Sequence, residues 1–139
     1  MIRKLTLSLF AASFILAAGC ANMMATNPAK VADGVLVGSN GMTLYIFDKD
    51  VKDKSNCSGG CLKNWPAFMV KDEDAKVMGD GVTATFGVID RGDGTYQVTA
   101  NGLPLYYYIK DVNPHDETGQ AVGDVWWVVG PDGNKIATK

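Results

Sequence analysis

The chain opens on a short positive segment, Met1-Ile2-Arg3-Lys4, followed by residues 5–18 without a single charge. That apolar run of about fourteen residues is too short to span a bilayer comfortably. With Gly19-Cys20 behind it, it has the n-region, h-region and small-residue cleavage site of a secretory signal, assigned to residues 1–19. Beyond Cys20 the pattern changes. Residues 21–32 lack periodicity and are expected to be a flexible tether. From residue 33 short apolar stretches alternate with Gly, Asn and Asp. Strands are predicted at 34–38, 43–47, 82–90, 95–99, 105–109 and 125–129. Pro131-Asp132-Gly133-Asn134 reads as a turn into a short last strand, 135–138, and the charged stretch 71–76 as a turn or short helical piece. No other segment has helical period. The expected fold is one all-β domain over 33–139, a sandwich or small barrel.

The hydrophobic pattern also repeats. At an offset of 61 positions, with no gap, Val37 meets Val98, Asn40 meets Asn101 and Gly41 meets Gly102. Leu44 then meets Leu105, Tyr45 meets Tyr106, Phe47 meets Tyr108, Asp50 meets Asp111 and Trp65 meets Trp126. Two pseudo-symmetric repeats follow, about 34–70 and 95–131. Asn40-Gly41 and Asn101-Gly102 are strong two-residue hairpin turns, because both central residues of a type I′ turn need positive φ. Strand alternation puts Tyr45 and Phe47 on one face, and Tyr106 and Tyr108 on the matching one. Asp50 and Asp111 fall just past the strand ends, where they are expected to accept backbone N–H bonds. Trp65 and Trp126 are large enough to plug the core between hairpins. Tyr107 and Trp127 alternate to the opposite face and are the candidate surface contacts.

Composition narrows the function classes. The 139 residues include 16 glycines and 5 prolines, consistent with many turns. The formal net charge is -2, and cleavage before Cys20 removes Arg3 and Lys4, so 13 basic side chains fall to 11 against 15 acidic ones. That argues against nucleic acid, which needs clustered Lys and Arg. Of three cysteines, Cys57 and Cys61 remain as a pair if Cys20 is modified. An even remainder in an exported chain suggests a disulfide, worth about 2 kcal/mol in so small a ring. A redox-active pair is the alternative, although the spacing is not C-x-x-C. A metal site would need more ligands than the single His115 offers.

Leu16-Ala17-Ala18-Gly19-Cys20 resembles a lipobox. The resemblance implies acylation of Cys20 and anchoring to a membrane, where multiple acyl chains resist release. Ala21, with no aspartate after the cysteine, implies sorting to the outer membrane. Leu44-Tyr45-Ile46-Phe47-Asp48-Lys49-Asp50, with Cys57, Cys61 and Trp65-Pro66, resembles the bacterial secreted-repeat family, predicted lipoproteins with a Y-x-(F/W/Y)-x-x-D motif. Tyr106-Tyr107-Tyr108-Ile109-Lys110-Asp111, followed by Thr118-Gly119-Gln120 and Trp126, resembles the same motif. The similarity runs over about residues 34–133. It implies an exported, often lipid-anchored domain and no established reaction.

The reading this supports is a non-catalytic binding or interaction module of the cell envelope, its partner an envelope protein or a glycan. The alternative is an envelope enzyme or a redox protein using Cys57 and Cys61. No catalytic motif or constellation stands in the sequence, and no cofactor is expected. Asp48, Asp50 and Asp53 cluster without the glycine and glutamate of a calcium loop. Arg91-Gly92-Asp93 resembles an adhesion tripeptide but sits in a Gly-rich turn.

Overall fold

The computed structural model describes residues 29–138. The signal segment, Cys20 and most of the expected tether therefore lie outside the described residues. The tether ends earlier than expected, since Ala29–Ala32 is a strand, β1, hydrogen-bonded to β2 (Val35–Val37). Asp33-Gly34 joins them with φ of 51° and 80°, the two positive values of a type I′ turn. Ala29 is buried in the core, so β1 is a structural part of the domain.

The remaining strands are β3 (Tyr45–Phe47), β4 (Met69–Val70), β5 (Gly79–Asp80), β6 (Phe86–Asp90), β7 (Tyr96–Ala100), β8 (Leu103–Pro104) and β9 (Trp126–Val128). Among the described residues the helical pieces are α1 (Gly60–Asn64), of five residues, and a 3-10 turn at Val122–Asp124. The strands form small open sheets: β2-β1-β5, then β3-β9, then β4-β7-β6 with β8 also on β7. The domain is all-β and built of two repeats.

The turns differ between repeats. Asn101 and Gly102 have φ of 50° and 83°, a type I′ turn between β7 and β8. The first repeat departs from that expectation. Asn40 does not have positive φ, and the Gly41 amide bonds to the Gly38 carbonyl, with Gly41 itself at φ 79°. This is the longer hairpin loop, a tight turn followed by one left-handed residue. Asn40 Oδ1 accepts the Met42 N–H at 3.0 Å, which fixes the Asn side chain without a left-handed backbone.

Three predicted strands are shorter or less regular than expected. Thr83 and Ala84 give their amides to the Pro131 carbonyl, so β6 begins at Phe86 and not at 82. Residues 135–138 contribute one isolated bridge, Val129 to Lys135, instead of a strand. Residues 105–109 form no regular strand: Tyr106 makes isolated bridges, Ile109 begins a turn, and the segment bonds to different partners in turn.

Those partners reveal how the repeats are joined. In β3–β9, Tyr45 faces Val128, Ile46 faces Trp127 and Phe47 faces Trp126. Sixty-one residues on, Tyr106 faces Ala67. The Tyr107 amide bonds to the Pro66 carbonyl at 2.7 Å and the Ile109 amide to the Asn64 carbonyl at 2.9 Å. The Ile109 bond matches Asp48 N–H to the Val125 carbonyl at 2.8 Å. Each Tyr segment is thus paired with the other repeat's Trp segment. On the axis between them, Tyr45 and Tyr106 exchange both backbone hydrogen bonds, at 2.8 and 3.0 Å.

These central segments are buried on both faces. Leu44, Ile46 and Leu105 enter an aliphatic cluster with Leu36, Phe68, Val98 and Val129. Tyr45, Tyr106 and Tyr108 enter a second cluster with Trp65, Trp126 and Cys57.

Candidate functional site

The residues that carry the sequence motif meet in the aromatic cluster. Each Tyr segment ends in a turn at its aspartate: the Asp50 amide bonds to the Phe47 carbonyl and the Asp111 amide to the Tyr108 carbonyl. That turn carries the carboxylate back beneath the neighbouring Tyr segment. The result is a reciprocal pair across the pseudo-twofold. Tyr45 Oη donates to Asp111 Oδ2, and Tyr106 Oη donates to Asp50 Oδ2, both at 2.6 Å. The second oxygen of each carboxylate accepts a backbone amide, from Asn56 at 2.6 Å and from Thr118 at 2.9 Å. Both aspartates are 8% exposed, and a buried carboxylate is tolerated only when its lone pairs are met in this way.

Above these pairs runs a column of four rings. Phe47 stacks on Trp126 at 4.2 Å, Trp126 on Trp65 at 3.8 Å, and Trp65 on Tyr108 at 4.1 Å. The two tryptophan planes are 2° apart, and their contact sits at the pseudo-twofold. Tyr45 meets Trp65 edge-on, as Tyr106 meets Trp126. Stacked and edge-on contacts each add about 0.5–1.5 kcal/mol beyond buried area.

The two halves differ around the carboxylates. Beside Asp50, the Tyr106 hydroxyl also bonds to Ser55 Oγ at 2.6 Å. Arg91 reaches in with Nη2 on the Cys57 carbonyl at 2.6 Å and Nη1 on Gln97 Oε1. Gln97, wholly buried, passes its amide to the Leu105 carbonyl. Cys57 and Cys61 form a disulfide that closes the loop after Asp50. Beside Asp111 there is no such set. Thr118 Oγ1 donates to Asp111 Oδ1, and the Gly119 amide donates to Tyr45 Oη at 3.2 Å. A Cβ on Gly119 would lie 2.8 Å from the Tyr45 ring and 2.9 Å from Trp65, so only glycine fits.

Burial, with the bonded Asp111 carboxylate, pushes the Tyr45 hydroxyl well above the usual phenol range, and burial with Asp50 does the same to Tyr106. Both remain protonated donors at any physiological pH. Tyr107 is pushed up to about 12 by burial alone. Burial also raises the Asp50 carboxyl, against the lowering effects of Tyr106, the Asn56 amide and Arg91.

Other predicted residues are placed elsewhere. Trp127 is half-buried, its Nε1 donating to Asp48 at 2.7 Å while the Lys135 ammonium lies over its ring and bonds Asp48 at 3.0 Å. Tyr107 is half-buried and meets Phe68 edge-on. Asp48 and Asp50 point to different partners, and among the described residues no group of three acidic, His or Cys side chains is placed to hold a metal. Arg91 turns inward to Gln97 and Cys57, which leaves the Arg91-Gly92-Asp93 triplet without a free guanidinium. His115 pairs with Asp33 at the surface, 3.2 Å away. Sequence reasoning missed Ser55, the inward role of Arg91, and Gln97, whose side chain is wholly buried in β7.

Fold and site together define a class: an all-β domain of two interlocked repeats, closed by reciprocal Tyr–Asp pairs over a shared aromatic column. The chain belongs to the family described as a secreted repeat of unknown function, whose two matches, residues 28–69 and 87–130, cover more than half of it. That places the domain outside the cytoplasm, in the envelope or beyond it. No curated protein and no solved structure matched the chain.

Proposed function

We propose that this is a non-catalytic binding module of the bacterial envelope, held to the outer membrane through acylated Cys20. The observation that carries the reading is the contrast between motif and edge. The motif's polar groups are spent inside the fold, each carboxylate on a tyrosine hydroxyl and a backbone amide. The segment beyond the motif tyrosines stays open: Ile109 is 57% exposed and Val112 79%, next to half-buried Tyr107. Contiguous exposed apolar surface is how an interaction site is recognised, and this segment is the candidate edge. The partner is an envelope protein or glycan that meets this edge while the lipid restricts the search to the membrane surface.

A photo-reactive phenylalanine at Ile109 in the full-length protein tests the reading in intact cells. A discrete crosslinked product is expected from Ile109 and not from the same group at Lys76. No product at Ile109 overturns the binding reading. Labelling with a radioactive fatty acid, lost in Cys20→Ser, tests the anchor separately. Unchanged labelling in that variant overturns it.

A further inference from the structure

The two repeats differ at the outer edge of their first hairpins. In the first, β2 pairs with β1, and the far edge of β1 is taken by β5, Ala29 against Gly79 and Lys30 against Asp80. In the second, β7 is the counterpart of β2 at the 61-residue offset and pairs with β6, and no strand lies beyond β6. The register fixes what that edge presents. The Arg91 amide bonds to the Thr95 carbonyl and the Asn101 amide to the Thr85 carbonyl, so positions 85, 87, 89 and 91 bond inward across the antiparallel pair. Phe86, Val88 and Asp90 therefore turn their N–H and C=O groups outward, and among the described residues those backbone groups have no partner. The Ala84 amide is held by the Pro131 carbonyl, so the free edge begins at Phe86. Elsewhere the strand edges are met or short. Leu36 of β2 bonds outward to Val129 and Leu44, Trp126 and Val128 of β9 to Ala121 and Ile136, and β4, β5 and β8 have two residues each. Open edges are commonly guarded by lysine, proline or a bulge, and Phe86-Gly87-Val88-Ile89-Asp90 carries none of these. Beside it a cavity of about 200 Å³ separates segments 73–77 and 86–88, with Glu73 and Lys76 the charged groups of its wall.

We infer that β6 pairs antiparallel with β6 of a second copy of this chain, about a twofold axis at Val88. The parity of the edge carries the inference. With Val88 facing its twin, Phe86 faces Asp90 of the second copy, and the three outward N–H groups of each copy meet the three outward C=O groups of the other. Asp90, the one charged residue of the strand, then stands opposite a phenylalanine and not opposite its twin, so no like charges face each other. Glu73 and Lys76 give the flanking groove both signs, a set complementary to a copy of itself and poorly matched to a strand of one strong charge. The pairing also covers Phe86 and Val88, which are only half-buried against the aliphatic cluster. Main-chain hydrogen bonds supply the affinity, as in other cases where a strand is added to a sheet edge. The second copy takes at β6 the place that β5 takes at β1. None of this uses the Ile109 edge, and the inference does not rest on the partner proposed for it.

The test uses the full-length protein in intact cells. Val88→Cys puts two thiols on the axis, with Cα atoms about 5.5 Å apart in a hydrogen-bonded antiparallel pair. A short thiol-to-thiol crosslinker is expected to convert this variant to a covalent dimer. No dimer is expected from the parent or from Val51→Cys, an exposed site outside β6. Two copies carrying different tags then test the pairing by charge. Co-capture from a mild detergent extract is expected for the parent, lost when both copies carry Val88→Lys or both carry Val88→Glu, and restored when one copy carries each. Misfolding of the charged variants does not produce that rescue. Absence of a dimer in Val88→Cys overturns the proposal, whatever the charged variants do. A crosslinked product with a different protein in its place overturns it too, as does co-capture undiminished between like-charged copies or unrestored between opposite ones.

Discussion

The Asp50 and Asp111 pairs share their geometry and differ in what stands behind it. Both hold a tyrosine hydroxyl at 2.6 Å and a backbone amide. In each repeat the tryptophan that enters the column stands fifteen positions after the aspartate. The first loop is fixed by a disulfide, Ser55 and the Arg91–Gln97 arm. The second is fixed by Thr118 and by Gly119 pressed against Tyr45 and Trp65. What the fold constrains is the meeting of Tyr, Asp and Trp at the axis. The route between Asp and Trp is free to be braced by covalent chemistry or by close packing.

The column is where that equivalence is strongest and where breaking it costs most. Trp65 and Trp126 are each 5% exposed and each stack on both neighbours. Trp65→Ala and Trp126→Ala are expected to destabilise by about 3–5 kcal/mol each, measured by urea unfolding. Costs that differ by more than about 2 kcal/mol between the two would show that the repeats do not share one column.

Removing the carboxylates should separate the two halves. In Asp111→Ala the Tyr45 hydroxyl loses its acceptor, because its other partner, the Gly119 amide, is itself a donor. In Asp50→Ala the Tyr106 hydroxyl turns to Ser55 Oγ. A cost of about 3 kcal/mol is expected for Asp111→Ala and about 2 kcal/mol for Asp50→Ala, since an orphaned buried donor carries its full desolvation penalty. Equal costs, or the reverse order, would remove Ser55 as the substitute acceptor.

Much of this architecture was visible in the chain. The 61-residue offset, carried by Trp, Tyr and Asn-Gly, gave the repeat, and alternation gave the inward faces of Tyr45 and Tyr106. The interlock was not visible, because strand alternation shows which face is buried and not whose edge completes the sheet. Arg91 was hidden for a related reason. It comes from the turn between β6 and β7, in neither motif copy, and reaches Cys57 across 34 positions. The strand β1 was missed although Asp33-Gly34 announced its turn. The two alanines and one lysine of β1 do not read as a strand until Val35–Val37 supplies the edge.

The disulfide offers a milder probe of the same difference. Cys57→Ala with Cys61→Ala opens a ring of five residues, so about 2 kcal/mol should be lost. The loss should appear as earlier local exchange of the amides at 55–61, with the Asp111 side unmoved. A protein in which both loops loosen together would show that the covalent brace is felt through the column, contrary to independent routes between Asp and Trp.

The smallest expected effect concerns pH. Asp50 has a raised folded-state pKa, from burial, so its contribution to stability is complete below the unfolded value and is lost as pH rises through the folded one. Asp93, Asp116 and Asp132 behave oppositely. The Thr95 hydroxyl lowers the first, the Asn113 amide the second and the Asn134 amide the third, so their contributions are present above the unfolded value and fade as pH falls. The net profile of the protein mixes these signs, which makes the variant Asp50→Asn more informative than the profile itself. Asparagine keeps an acceptor for Tyr106 and cannot ionise. Its unfolding temperature relative to the parent should therefore rise as pH is raised through and above the ordinary carboxylate range, where a carboxyl raised by burial ionises. A difference that stays flat with pH would mean that Tyr106, the Asn56 amide and Arg91 fully offset the burial of Asp50.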